Sequence, residues 1–401
     1  MKKVELLAPA GDLDKLKIAI LYGADAVFVG GKYFSLRHKA SNFTIEELKE
    51  AVDFANKHHA RIHVTVNIVP EEDDFDKLDE YLLTLDSIGV HAIIVSSIYV
   101  MQRAKALNCK FEIHVSTQQS ILNYKAIDFF NEVGANRVVL GRELSIEQIK
   151  NIKEHSPLPI EVFIHGGMCS SYSGRCTLSN VMVNRDANKG GCAHSCRWLY
   201  RLSKDNTEIG KDDFIIASCD LMSVKYIPTL LSIGVDSFKI EGRMKSVHYI
   251  ATIVSAYRRL IDEYYENNGI SNERIRYYIN EINKAETRIT YTGFLDKRLK
   301  NQVILKETGN ERPTQSFVAI VLHHKNKDGL TLIEEKNNFS IKDKLEAFLP
   351  DGTTQKIKIK KMYDLDGNEV EIARHAREPL LVKLDKEIPI YSLIRKSKVI
   401  K

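Results

Sequence analysis

Four segments of the chain repeat one pattern: Gly23–Gly31 (GADAVFVGG), Gly89–Ser97 (GVHAIIVSS), Gly134–Arg142 (GANRVVLGR) and Gly234–Gly242 (GVDSFKIEG). Each follows an apolar-periodic stretch such as LKIAILYG or YLLTLDSIG, and each opens on glycine. A glycine at that point suits the left-handed residue that ends a helix. The β-branched run after it suits a strand buried in a parallel sheet. Val4–Leu7, Arg61–Val66, Glu112–Val115 and Glu161–Ile164 fit between these units, making eight strands before Glu241. Helical stretches at Thr44–Lys57, Asp74–Ser87 and Ile146–His155 separate several of them. Strand–helix alternation implies a parallel sheet, and eight strands predict an α/β fold built as a (β/α)8 TIM-like barrel. A doubly wound open sheet is the alternative.

The spacing breaks once. Over 70 residues separate the seventh strand from the eighth, and this cysteine-rich insertion, 166–233, holds five of the six cysteines. In a barrel it would sit on the C-terminal face, where barrel enzymes keep their active sites. Ser246–Glu266 reads as a long helix, with Ile250, Ile253, Val254, Tyr257, Leu260, Ile261 and Tyr264 on one face. A shorter helix follows at Asn272–Lys284. From about residue 312 the period changes to two, with strands expected at Ser316–Leu322, Leu330–Glu334, Lys344–Leu349, Gln355–Lys361 and Leu380–Leu384. The chain therefore divides, by expectation, into a barrel domain over 1–311 and a small all-β barrel domain over 312–401.

The 401 residues are 44% hydrophobic and 28% charged, an ordinary globular balance that excludes disorder as the dominant state. No run approaches the roughly 18 apolar residues of a membrane span, and Glu5 interrupts the apolar part of the N-terminus. These features lead us to expect a cytoplasmic protein with no membrane partner. Of the net charge of +5, residues 301–401 contribute +4 (19 Lys/Arg against 15 Asp/Glu). That bias fits a polyanion partner, or simply a solvated lysine-rich surface.

Cys169, Cys176, Cys192 and Cys196 are spaced C-x6-C-x15-C-x3-C. Such density in a reducing compartment argues for metal rather than disulfides. Thiolates suit an iron–sulfur cluster or zinc, though the C-x2-C knuckles of structural zinc are absent. Unrelated buried thiols are the bland alternative. Cys219 is a possible substitute ligand, and Cys109 is read as structural. The same stretch is basic and aromatic: Arg175, Arg185, Lys189, Arg197, Arg201 and Lys204 stand among Tyr172, Trp198 and Tyr200. Arginines and aromatics together hold phosphates and stack unpaired bases, although an ordinary surface loop has the same composition.

Polar residues gather where the strands should end. Asn67, Ser116, Gln118, Arg142, Glu143, His165, Glu241 and Arg243 follow strands three to eight, and Arg37 follows strand two. In a barrel they converge on one mouth, where they could grip an anion and move protons. Taken singly, each is as well explained by an ion pair or a cap. No G-x-G-x-x-G, Walker loop, H-E-x-x-H or G-x-S-x-G is present, which argues against a nucleotide cofactor and the standard hydrolases.

EVFIHGGMCSSYSGRCTLS (Glu161–Ser179) resembles the signature of the peptidase U32 family, the collagenase-like proteases. Glu161, Phe163, Gly166, Met168, Cys169, Gly174, Cys176, Leu178 and Ser179 match it, while Gly167 stands where Ser or Ala is usual. NKGGCAHSCRWLY, LLAPAG, STQQSILN, LGRELS, IEGRMKS and YTGF (Tyr291–Phe294) continue the likeness over nearly the whole chain. The resemblance implies an oxygen-independent RNA hydroxylase rather than a protease, since no protease constellation is visible. It implies a 4Fe–4S cluster on Cys169, Cys176, Cys192 and Cys196, with Cys219 as the alternative fourth ligand. The branch it most resembles makes 5-hydroxyuridine at the tRNA wobble position and depends on prephenate. The expected partners are then a tRNA anticodon arm and a dicarboxylate gripped by Arg37, Arg142 and Arg243. A homo- or hetero-oligomer with a related U32 protein is also implied. A true peptidase, or a non-catalytic RNA-binding protein with a structural metal, are the competing readings.

Overall fold

The computed structural model describes residues 3–35, 42–205, 207–209, 213–296, 315–325 and 329–397. Eight parallel strands form the barrel: β1 (Glu5–Pro9), β2 (Ala26–Gly30), β3 (Arg61–Val66), β4 (Ala92–Val95), β5 (Glu112–Val115), β6 (Arg137–Val139), β7 (Ile160–Gly166) and β8 (Ser237–Ile240). Each pairs with the next up to β7. Ser237 of β8 then stands opposite both Glu5 of β1 and Glu161 of β7, which closes the ring. The doubly wound alternative is thereby overturned. The repeat glycines do what their position required: Gly23, Gly89, Gly134 and Gly234 all have positive φ at helix ends.

The helices pack outside the ring: α1 (Leu13–Leu21), α2 (Ile45–Lys57), α3 (Leu78–Ile88), α4 (Ile98–Ala106), α5 (Tyr124–Val133) and α6 (Ile146–His155). They continue with α8 (Ile227–Ile233), α9 (Val247–Asn267) and α10 (Asn272–Asn283), while α7 (Leu178–Val183) lies within the insertion. Helix α3 begins later than the sequence led us to expect. Glu71 and Asp74 cap each other's amides and close a separate one-turn 3-10 helix at Glu72–Asp74 before it.

The ring interior is layered. Leu7, Ala26, Phe28 and Ile94 form an apolar plug. Toward the N-terminal ends of the strands lies a buried ionic layer. Arg137 bridges Glu5 and Glu161, Lys239 Nζ is 2.7 Å from Glu161, and His63 stacks edge-on against His114. Toward the C-terminal ends, Val139, Phe163, Met168 and Leu221 form a second apolar group beneath the mouth.

The C-terminal strands are β9 (Gln315–Lys325), β10 (Leu330–Glu335), β11 (Leu345–Phe348), β12 (Thr354–Ile357), β13 (Ile359–Tyr363), β14 (Pro379–Leu384) and β15 (Leu393–Ser397). Their order is β12-β11-β15-β9-β10-β14-β13, every pairing antiparallel. The expected small all-β barrel takes the form of a half-barrel. Its edge strands β12 and β13 are joined through Lys358, yet no pairing links them among the described residues. The single strand expected at Gln355–Lys361 divides there because the Lys358 amide donates to Asp385 Oδ1 (2.8 Å) instead of the ladder. This sheet has its own core around Val318, Ile333, Phe339 and Ile394, and it docks on the barrel flank. Tyr22 Oη at the end of α1 donates to the carbonyls of Phe348 (2.8 Å) and Tyr391 (3.1 Å), and Arg259 of α9 donates to Gly352 O.

Candidate functional site

The insertion leaves β7 at the mouth and folds across it. Its first loop is pinned to the ends of other strands. Glu143, after β6, accepts from Ser173 N (2.8 Å) and Oγ, and Ser120, after β5, donates to Ser173 O. Gly174 lies flush on the turn after β5, with φ +74; a Cβ there would stand 2.6 Å from Gln118 Cα. Only glycine tolerates both conditions. Farther along, Lys189 pairs with Glu71 (2.8 Å) and Asp74 (2.9 Å), and Asn188 O accepts from Val69 N, which ties the insertion to the loop after β3.

This fastening gathers four thiols. Cys169 is perturbed by Cys176 and Cys192, and Cys196 by Cys169, Cys192 and Cys176. Partial desolvation pushes both thiols up, though Cys169 keeps an exposed face, and neighbouring thiolates push them further. Arg142 beside Cys169 and Arg197 beside Cys196 pull the other way. None of the six cysteines is in a disulfide. Cys219 is buried next to the three-residue strand Asp220–Met222, with Arg288 and Asp220 as charged neighbours. Cys196 is among the thiols that perturb one another electrostatically. Four thiols with two arginines against them fit a thiolate-ligated, net-negative cluster. Among the described residues no three His, Cys, Asp or Glu converge on one point as a single metal ion would need.

The polar residues at the strand ends divide into groups. Asn67 Nδ2 donates to Gln118 Oε1 (2.7 Å), and Ser116 Oγ donates to the same oxygen (3.1 Å). Arg142 donates to Gly167 O and lies 3.9 Å above the Phe163 ring. Arg243 is buried over Gly30, donating to Ser35 Oγ (3.2 Å) and to Asn42. The Glu241 carboxylate is close enough to Cys169 to raise its thiol. Asn67 and Ser116 are joined through Gln118, and Arg142 and Glu241 both act on Cys169, while Arg243 is tied to Ser35 and Asn42. Glu143 is spent on Ser173 and serves as a fastening. Arg37 lies outside the described residues.

His165 does not reach the mouth. The β7–β8 register shifts between Lys239 and Ile240, so that Ile164 is passed over. This bulge turns His165 outward, where Nε2 lies 2.8 Å from Glu286 Oε1 and Nδ1 lies 3.2 Å from Tyr257 Oη of α9. Both His165 and Glu286 are fully buried. The basic stretch is also more occupied than its sequence suggests: besides Lys189, Arg201 pairs with Glu208 (2.9 Å) and Asp213 (2.8 Å).

Beside the thiols is a cavity of about 350 Å³ between the ends of β3, β4 and β5 and the insertion loop. Val69, Phe75, Ser96, Ser97, Gln119 and Arg175 are among its walls. Gln118, which lines it too, and Arg175 are the two that the sequence singles out; Ser96 and Ser97 end a repeat segment. Phe75 packs edge-on against the half-exposed Tyr99 (4.8 Å) at the cavity lip. No helix among the described residues is long and apolar enough to cross a membrane.

Comparison with known proteins follows this architecture closely. Peptidase family U32 matches residues 11–304, and the peptidase family U32 C-terminal domain matches residues 313–395. The tRNA hydroxylation protein P1 of Bacillus subtilis is 42% identical over 99% of this chain and 96% of its own. A 23S rRNA 5-hydroxycytidine synthase of Escherichia coli is 36% identical over 67% of this chain and 40% of its own. A collagenase of Porphyromonas gingivalis is 32% identical over 65% of this chain and 66% of its own. With both family segments matched and full-length identity to a relative, the chain belongs to peptidase family U32.

Proposed function

We propose that this protein is an RNA hydroxylase that forms 5-hydroxyuridine at the tRNA wobble position without molecular oxygen, using a 4Fe–4S cluster and prephenate. The observation that carries the reading is the 42% identity, end to end, to a tRNA hydroxylation protein. The rRNA-modifying relative points to the same chemistry on a second RNA.

Cys169, Cys176, Cys192 and Cys196 would hold the cluster, which when bound supplies redox or Lewis-acid chemistry at the barrel mouth. The remaining work belongs to the chain. Arg142, after β6, and Arg243, after β8, are the two described arginines at strand ends, and guanidinium pairs bidentately with carboxylate. They suit a dicarboxylate. Glu241 is the mouth carboxylate placed to accept a proton. His165, locked behind the wall by Glu286 and Tyr257, positions β7 against α9 and does not touch substrate. The insertion's exposed Tyr172, Trp198 and Leu199, with Arg175 and Arg185, offer stacking and phosphate contacts to an anticodon loop.

The test is nucleoside mass spectrometry of tRNA from a deletion strain. Hydroxylated uridine should vanish and return with the wild-type gene but not with Cys176→Ala. Restoration by Cys176→Ala would overturn the cluster-dependent reading, and unchanged hydroxyuridine in the deletion strain would overturn the activity. The collagenase relative keeps one alternative specific. Gelatin cleavage by the purified protein that survives Cys176→Ala would favour a peptidase.

A further inference from the structure

The barrel mouth and the cavity beside it make two different offers to a ligand. Around Arg142 and Arg243 the offer is positive charge. In the cavity, Arg175 is the one charged wall residue, and it has no ion-pair partner among the described residues. The rest is neutral. Val69, Pro70 and Phe75 are its apolar lining; Ser97 offers a hydroxyl and Gln119 its amide oxygen, while the Ser96 hydroxyl donates to Ile68 O (2.7 Å). A dicarboxylate would leave one charge uncompensated there, which is costly to desolvate. A flat, neutral heterocycle with polar edges meets no such cost. It would stack on an aromatic wall and hydrogen-bond along its rim.

We propose that this cavity, and not the arginine-lined mouth, receives the target nucleobase once it is turned out of the RNA loop. The idea rests on the RNA reading above and deepens it. The volume of about 350 Å³ lies at the lower end of ligand-site sizes, roughly 300–1,000 Å³, and so admits a single nucleoside rather than a stretch of chain. Phe75 is the stacking face. Its edge-on contact with Tyr99 holds the ring upright, and Tyr99 remains half-exposed to meet a neighbouring base. Ser97 is at the N-terminus of α4, and its hydroxyl makes no capping bond. That leaves it available to a base edge. Gln119 is anchored by its donation to Ser96 O. Arg175 at the rim is placed for the phosphate beside the extruded base.

The position of the cavity gives the assignment its chemical sense. Gly174 and Arg175 belong to the same loop as Cys169 and Cys176, and Gly174 is seated on the turn that carries Gln118. One loop therefore forms a cavity wall and presents two of the four thiols. A base in the cavity is next to the thiol quartet, while the dicarboxylate occupies the arginine side of the mouth.

The experiment compares the full-length protein, purified anaerobically, binding two synthetic anticodon stem-loops by fluorescence anisotropy. One hairpin carries uridine at the target position and the other an abasic site. Wild type should bind the uridine hairpin about tenfold more tightly, the scale of one base–aromatic stack. Phe75→Ala should abolish that preference while leaving abasic binding unchanged, at a lowered thermal midpoint because Phe75 packs against the barrel core; Phe75→Leu, which keeps the packing without a ring, should lose the preference at a near-wild-type midpoint, and Phe75→Tyr should restore it. If Phe75→Ala keeps the wild-type preference, the cavity assignment is wrong and the RNA reading survives. If Phe75→Ala instead weakens prephenate binding and spares the hairpin preference, the cavity holds the small anion and the assignment is again wrong. If wild type binds neither hairpin, both the assignment and the RNA reading fall.

Discussion

Replacing Arg137 by methionine tests how the barrel interior is held. Arg137 is 6% exposed and bridges two carboxylates that are themselves 5% (Glu5) and 0% (Glu161) exposed. It donates twice to Glu5, once at 3.4 Å, and once to Glu161 at 3.2 Å. Methionine fills comparable space but leaves both carboxylates short of a cation. Each keeps one cation, Glu161 with Lys239 at 2.7 Å and Glu5 with Arg61 at 2.8 Å, and Glu5 still accepts from Ser237 Oγ (2.9 Å). A charge-assisted bond contributes about 1.5–3 kcal/mol, and two strong ones are lost. Removing one member of a buried ion pair costs about 3–5 kcal/mol by direct comparison. The two routes agree on about 3–5 kcal/mol. Urea unfolding at pH 7, followed by far-ultraviolet circular dichroism, should show the barrel transition at a markedly lower midpoint with an unchanged slope. Adding Glu5→Gln to Arg137→Met should recover at least about 1 kcal/mol, because the stranded charge is then gone. A single-variant loss under about 1 kcal/mol, or a double variant as unstable as the sum of its parts, would refute the argument.

Three further outcomes follow from the same geometry. Burial holds His63 down to about 3, and the arginine and lysine partners hold Glu161 down to about 2 despite its burial. The unfolded chain therefore takes up protons that the folded barrel refuses, and stability should fall as pH drops from about 6.5 toward 3; a midpoint that is flat or rises over that range would contradict it, and His63→Gln should blunt the upper part of the fall. Gly174→Ala adds left-handed strain of about 1–2 kcal/mol and forces the loop off Gln118, so iron per chain after anaerobic purification should fall, whereas Gly367→Ala, with open space around its Cβ, should keep wild-type iron. Tyr22→Phe removes the hydroxyl shared by Phe348 O and Tyr391 O and should cost about 1–2 kcal/mol in calorimetry of the full chain; an unchanged thermogram would mean that the sheet is held by apolar contact alone.

The barrel was legible because its strands advertise themselves: β-branched runs behind helix-ending glycines have no other economical reading. The less visible elements were masked by local chemistry. Strand β15 is central in its sheet, yet it reads as polar because Arg395 lies fully buried within it, 2.8 Å from Glu346 and 4.3 Å over the Phe348 ring. An arginine that looks exposed in sequence is a core residue in space. His165 shows the reverse. Strand parity places it toward the mouth, and only a one-residue register shift, invisible in sequence, turns it away. Arg142 and Glu241 both face Cys169, as positions after the sixth and eighth strands allow, while Asn67 is taken up by Gln118 and Arg243 by Ser35 and Asn42. The cavity walls at Phe75, Ser97 and Gln119 gave no chemical signal of their own, because serine, glutamine and a loop phenylalanine are common everywhere.

The short strand Asp220–Met222 has a consequence for how such a chain comes to be made. It runs antiparallel to the end of β7, with Leu221 opposite Gly166 and Met222 opposite His165. The chain that departs over the mouth is thus brought back to its point of departure before β8 begins. Once that clasp has formed, the closing strand is only a short helix away from its place in the ring, whatever the length of the excursion. Each doubling of such an excursion costs only about 0.6 kcal/mol in closure entropy. Synthesis can therefore complete the ring while the thiol-bearing loop is still empty, and the loop can be lengthened, trimmed or filled afterwards without disturbing the scaffold that presents it.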